Sequence, residues 1–158
     1  MKDHSIGLGF DVHKFSRKKK SLILGGAKIP SSLSLDAVSD GDLVLHAICD
    51  AICGAANLGD IGDYFSPQSK ASQNIDSKQI TRFILKKISG RYRIKNIDII
   101  IISQRPRLVS HKKAITDSLK KILAVSNLNV KIKSKEGLDI LGTKDSMSCL
   151  AIALLRKK

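Results

Sequence analysis

Apolar and polar positions follow different periods along the chain, and the changes of period mark its elements. Ile6–His13 (IGLGFDVH) alternates as a strand, with Gly7 and Gly9 implying close backbone approach. Ser21–Pro30 (SLILGGAKIP) sets two apolar runs around Gly25–Gly26, a hairpin pattern, and Arg17–Lys20 before it reads as an exposed turn. Apolar positions 44, 45, 48, 51, 52, 55 and 56 predict a helix over Ser39–Asn57. Ser39 or Asp40 caps it, with Asp42 near the positive end of its dipole. Residues 58–76 form a long Gly/Asp/Ser/Pro-rich loop, and long ordered loops in compact domains are disproportionately functional. A second helix spans Ser77–Ser89, capped by Asp76 or Ser77, and Ile97–Ser103 is a strand too uniformly apolar to have a wet face. Ser110 caps a third helix running to about Val125. Asn129–Lys135 alternates as a strand with lysines on one face, and Ser148–Leu155 closes the sheet. The order β-hairpin, α, α, β, α, β, β predicts an α/β class, an α+β sandwich. Its sheet is mixed and four- to five-stranded, with helices packed on one face.

The 158 residues fit one domain, and an apolar share of 42% supports a packed core. No apolar run approaches the length of a membrane span, and the N-terminus carries neither a signal nor a transit pattern. Three cysteines, an odd number, argue against a disulfide scaffold and for a reducing cytoplasm. Charge changes the picture. The 28 Lys+Arg outnumber 14 Asp+Glu, a net of +14. Residues 1–77 hold 8 basic and 9 acidic side chains, whereas residues 78–158 hold 20 and 5. A basic half suits a polyanion, whether nucleic acid, acidic lipid or a phosphorylated small molecule, and it equally suits a solvated lysine surface. Four Phe, two Tyr and no Trp leave few platforms for stacked bases, which disfavours single-strand binding but not phosphate binding.

Candidate chemistry concentrates in four places. Asp11 and His13 stand two residues apart on one side of a strand end, and His46 lies on the first helix. Asp/His/His is a reasonable three-ligand set for a divalent metal with an open position, although a strand-end Asp can equally be satisfied by backbone. Asp50, one turn after His46, is placed to support that site. A thiolate version built on Cys49 and Cys53 is rejected, because cysteines on an apolar helix face are usually small core residues. Gly59-Asp60-Ile61-Gly62-Asp63 offers amides and carboxylates for ribose hydroxyls or a hard cation, or is merely a helix-terminating turn. Ser103–His111 follows a buried strand, the usual ligand position of α/β folds, and its Arg105 and Arg107 suit phosphate or plain solvent. Lys133-Ser134-Lys135-Glu136-Gly137 gathers two ammonium groups, a hydroxyl and the chain's one glutamate, fit for phosphate and magnesium or for an exposed strand end.

Taken together, GFDVHKF (9–15), the LILGG…IP hairpin (22–30), SDGDLVLHAICDAICGAANLGDIGDYF (39–65), IIIISQRPR (99–107) and NVKIKSKEGL (129–138) resemble the 2-C-methyl-D-erythritol 2,4-cyclodiphosphate synthases in order and spacing. The resemblance covers nearly the whole chain. It implies a cytoplasmic homotrimer with active sites at subunit interfaces. The implied reaction converts 4-diphosphocytidyl-2-C-methyl-D-erythritol 2-phosphate to the 2,4-cyclodiphosphate and CMP, in non-mevalonate isoprenoid synthesis. It also implies Zn2+ on Asp11, His13 and His46, and Mg2+ or Mn2+ on the diphosphate beside Glu136. Asp60, Ile61 and Gly62 match the ribose contacts. Phe65, Ser66, Pro67, Gln68 and Ser69 match the loop near the methylerythritol. Ser103, Gln104, Arg105, Pro106, Arg107, Leu108 and Val109 match the cytidine pocket, and Lys133, Ser134 and Lys135 stand beside Glu136 in the diphosphate segment.

Four positions depart from the family pattern. Val38 stands where the family has a transition-state histidine, which shifts attention to its neighbour Ser39. Ser134 replaces a threonine and keeps the catalytic hydroxyl. Ile140 and Thr143 align with an expected Phe and Arg, leaving Lys133, Lys135 or Lys144 to replace the lost cation. These departures motivate one alternative, a member that binds CDP and metal with little turnover. A basic nucleic-acid-binding protein is the alternative from another class, and it predicts affinity that falls steeply with salt.

Overall fold

The computed structural model describes residues 3–17, 20–66, 68–139 and 141–158. Its strands are β1 (His4–Ser16), β2 (Leu22–Leu24), β3 (Ala27–Ile29), β4 (Ser34–Leu35), β5 (Tyr92–Ser103), β6 (Leu128–Lys133) and β7 (Ser146–Lys157). Its helices are α1 (Leu43–Ala55), α2 (Ser77–Ser89) and α3 (Lys112–Leu123). Five strands form one sheet in the order β4-β1-β7-β5-β6, with β5 and β6 parallel and the other pairs antiparallel. This is the expected mixed α+β sandwich. The expected hairpin is β2–β3, turned at Gly25 and Gly26 with φ of 59° and 76°. Two successive positive φ angles define the primed turn that suits strand twist, and glycine adopts them without steric cost. The middle of the Arg17–Lys20 turn and Ile140 lie outside the described residues.

All three helices cover one face, α1 on β1 and β7, α2 beside α1 and over β5, α3 against β6. Cross-strand register explains the fit. Gly7 pairs Ala153, which pairs Ile97 and then Leu128; Gly9 pairs Ala151, then Ile99 and Val130. Small residues under α1 grade into large ones under α2 and α3. A Cβ on Gly7 would lie 2.0 Å from the Ala51 carbonyl oxygen, and one on Gly9 1.9 Å from that of Ala47. The helix therefore rests directly on the β1 backbone. Alternate residues point the other way, and there Ile6 and Leu8 are 72% and 65% exposed. Ile100 and Ile102 share this open face and are only half-buried, so β5 is one-sided in the isolated chain despite its uniform sequence.

Helix starts differ from expectation in two places. Asp42 caps α1, accepting from the Leu45 amide at 3.1 Å, while Ser39 and Asp40 serve other groups. All three residues suit a cap chemically, and the turn at Gly41, with φ of 77°, decides between them. Asp76 caps α2 as expected. Ser110 caps nothing. It falls inside a one-turn 3-10 segment, Val109–His111, through which the chain enters α3.

Candidate active site

β1 carries Asp11 and His13 to its far end, and the first turn of α1 brings His46 to meet them. Their ligand-type atoms lie within 4.8 Å of one another. Asp11 Oδ2 is 3.0 Å from His13 Nε2 and 3.1 Å from His46 Nδ1. Burial works against charge on Asp11, but the two facing imidazoles outweigh it and hold the carboxyl well below the usual range. Burial likewise disfavours charge on His13, and the facing carboxylate overcomes it and raises the imidazole.

Hydrogen-bond accounting indicates what this cluster is built to hold. His13 Nδ1 lies 3.0 Å from the Asp36 carbonyl oxygen, an acceptor only, so Nδ1 carries a hydrogen and Nε2 is the nitrogen left for a metal. That Nε2 is buried and has no hydrogen-bond partner, although Asp11 is close. An unsatisfied buried nitrogen facing a carboxylate oxygen is costly, and a cation between them removes the cost. The donor set therefore fits a divalent metal, with the outer nitrogen of His13 held by a carbonyl as metal-bound imidazoles commonly are.

The triad opens into a cavity of about 340 Å³. Val38 and Ser39 form one wall, Asp60, Ile61, Gly62 and Phe65 another, and Ile75 and Ile80 the apolar back. Val38, 46% exposed, presents a hydrocarbon where the family pattern has an imidazole. Ser39 Oγ accepts from the Gly41 amide at 3.1 Å and lies 3.5 Å from His46 Nε2. The facing loop is tightly made: Asp60 Oδ1 accepts from Gly62 at 2.7 Å, and Asp63 Oδ2 accepts from Asp60 at 3.2 Å. Asp50 anchors this loop rather than either imidazole, accepting from the Ile61 amide at 2.9 Å. The helix spacing places it one turn from His46, and its hydrogen bond goes to the loop.

The remaining expected residues are elsewhere. Among the described residues, none of Ser66, Gln68, Ser69, Ser103–Val109 or Lys133–Glu136 lines the cavity, and Pro67 lies outside the described residues. Ser103 ends β5 and pairs with Met147, which pairs with His13, so the segment it opens starts two strands across the sheet from the triad. Ser103 Oγ donates to the Arg105 carbonyl at 2.7 Å, and Arg105 pairs with Asp145 at 2.5 Å. Leu108 is fully buried in the core, so its side chain is unavailable to a ligand, whereas Val109 is exposed. Ser134 Oγ donates to Glu136 in a very short hydrogen bond. Lys135, expected as an anion-binding cation, is only 1% exposed; its amine donates to the Thr143 carbonyl at 2.6 Å and to Ser146 Oγ at 2.8 Å. It ties two loops together instead of facing solvent. Two residues read in the sequence only as helix caps belong to the site. Ser77 Oγ lies 2.8 Å from His46 Nε2 and makes a very short bond to Asp40 Oδ1. No local pattern reveals them, because both bonds span more than thirty residues.

Fold and site together define an α+β sandwich with a three-residue group fit for a divalent metal at the end of its first strand. The YgbB family profile matches residues 4–156. A 2-C-methyl-D-erythritol 2,4-cyclodiphosphate synthase from Francisella philomiragia is 40% identical over 155 residues, 96% of this chain and 98% of that protein. The bifunctional IspDF of Campylobacter jejuni superposes with a TM-score of 0.93 at 32% identity; the match covers all of this chain and 43% of the bifunctional one. The Plasmodium falciparum IspF–CDP complex gives 0.84 at 32%, covering 100% and 99%. The chain belongs to the YgbB family of 2-C-methyl-D-erythritol 2,4-cyclodiphosphate synthases and is an enzyme of that family.

Proposed function

We propose that residues 1–158 act as one domain, a cytoplasmic phosphorus–oxygen lyase. It cyclises 4-diphosphocytidyl-2-C-methyl-D-erythritol 2-phosphate to 2-C-methyl-D-erythritol 2,4-cyclodiphosphate. A 2-phosphate oxygen forms a bond to the β-phosphorus as the bond from that phosphorus to the CMP oxygen breaks, so CMP leaves with the electron pair. The observation that carries the reading is the convergence of Asp11, His13 and His46 on one point beside the cavity, with His13 Nε2 left for a cation. Asp11, His13 and His46 would hold a Zn2+ ion there, which would supply charge to offset and polarise the diphosphate. Asp60 and Gly62 offer polar groups to a ribose, and Phe65, Ile75 and Ile80 offer an apolar wall to the methylerythritol carbons. No protein nucleophile is required. Holding two ends of one molecule in line contributes much of the rate.

The cytidine and second-metal residues, Mg2+ or Mn2+ beside Glu136, belong in this reading to a neighbouring protomer. Two features support a homotrimer: Ser103–Val109 and Lys133–Glu136 stand apart from the cavity, and the open sheet face exposes Ile6, Leu8 and Ile152. The CDP complex of the Plasmodium falciparum relative supports a cytidyl ligand rather than nucleic acid.

The test is CMP release with zinc and magnesium, compared between the native chain and His46→Ala. Activity should fall at least about a thousandfold in the variant, in line with loss of a catalytic metal, together with its zinc, while the fold persists. Full activity and zinc content in the variant would refute the site. Zinc binding without CMP release by the native chain would favour a CDP-binding member with little turnover, the reading that Val38 in the cavity wall and Thr143 suggest.

A further inference from the structure

His46 must offer one particular nitrogen to the metal, and the structure contains a device that selects it. Its Nδ1 faces Asp11, and its Nε2 faces away, 2.8 Å from Ser77 Oγ at the first turn of α2. The Ser77 hydroxyl has one hydrogen. A very short bond delivers that hydrogen to Asp40 Oδ1. Asp40 also accepts from the Ser77 amide at 3.1 Å, through Oδ2, and from the Asp42 amide at 3.3 Å, through Oδ1. Acting throughout as an acceptor, this carboxylate leaves Ser77 nothing to donate to the imidazole. Two acceptors thus compete for the hydrogen of a neutral ring, Ser77 Oγ at Nε2 and Asp11 Oδ2 at Nδ1, 3.1 Å away; a cation between Nδ1 and Asp11 removes the second, and Ser77 keeps the hydrogen on Nε2.

We propose that Ser77, oriented by Asp40, is a positioning residue that favours the Nε2–H tautomer of His46 and so presents Nδ1 to the metal. The inference rests on the metal-site reading above. Both Ser77 and His46 are buried, so water does not compete for the bond. The relay also joins three segments, since His46 lies on α1, Ser77 on α2 and Asp40 on the strap between β4 and α1. That strap is bound again where the Asp40 amide donates to Ile75 at 3.2 Å and the Asn74 amide donates to Val38 at 2.8 Å. Ser39 Oγ, 3.5 Å from Nε2 and already accepting from Gly41, is the weaker neighbour.

Two measurements on the full-length protein test this. Zinc dissociation constants, from competition with a chromophoric chelator, should rise about 10- to 100-fold in Ser77→Ala, the usual effect of losing a partner behind a metal-bound imidazole. The conservative Ser77→Thr should restore most of that loss. In Asp40→Asn the amide can donate to Ser77, whose own hydrogen then turns to Nε2, and affinity should fall as well. Imidazole 15N spectra of the metal-free protein at mildly alkaline pH supply the second readout. The Nε2–H tautomer of His46 should be more populated in the native chain than in Ser77→Ala, where Asp11 draws the hydrogen to Nδ1. Equal zinc affinity and an unchanged tautomer in Ser77→Ala would overturn the proposal. If Ser77→Ala does not fold, Ser77→Thr and Asp40→Asn decide by the same two readouts. Should the native chain bind no zinc, the metal-site reading fails, and the spectra alone still decide whether Ser77 sets the tautomer.

Discussion

Asp42 does three tasks with one carboxylate. It caps α1 through Leu45, and it accepts from the Gly25 amide at 2.8 Å and the Gly26 amide at 2.6 Å, stitching the hairpin turn to the helix that carries His46. Complete burial pushes its carboxyl from the ordinary 3.8 up to about 6, against the pull of those three amides. A raised folded-state value means that the native protein holds the proton more tightly than the unfolded chain. The associated stability is present below about pH 4 and is lost as pH rises through about 6. Urea unfolding of the native chain and Asp42→Asn across this range should show the native advantage shrinking as pH rises. A growing advantage would contradict the account. Residues of this kind are the least legible in sequence. Ser39, Asp40 and Asp42 all look like caps, and only the Gly41 turn allots the amide of Leu45 to one and the hydroxyl of Ser77 to another. Asp11, His13 and His46 were legible because strand and helix periods fix their directions locally. Lys135 was not, since only the packed loop at 142–146 shows that its amine turns inward.

At the scale of elements, the site depends on α1 lying against the β1 backbone. Gly7 and Gly9 set that distance, and Gly9 is two residues from Asp11. Gly9→Ala should force helix and strand apart, lowering stability by about 3 kcal/mol in denaturant unfolding and weakening zinc binding with it. A change within about 0.5 kcal/mol, typical of an uninvolved surface position, would show that the contact yields freely. The glycine pattern, the hairpin and the apolar helical spacing made this layer readable from the sequence. The one-sided exposure of β5 was not readable, because a uniformly apolar strand gives no sign of which face a helix covers.

For the whole molecule, the excess of basic residues and the open sheet face make separate contributions. Much of the second half's charge is surface. Lys113 pairs Asp117 and Lys131 pairs Asp98, and neither pair approaches the cavity. Such pairs stabilise little. The apolar face does more in this account. Light scattering should give the mass of about three protomers for the native chain, and Leu8→Lys, with a charge placed on that face, should give one protomer. A native monomer that retains full activity would remove the case for shared sites. Ring closure, rather than hydrolysis, distinguishes the proposed reaction. Phosphorus NMR of the reaction products separates the two outcomes. With zinc and magnesium present, we expect CMP and the cyclic diphosphate in equal amounts. CMP accompanied by two separate phosphomonoesters, or no CMP at all, would contradict ring closure.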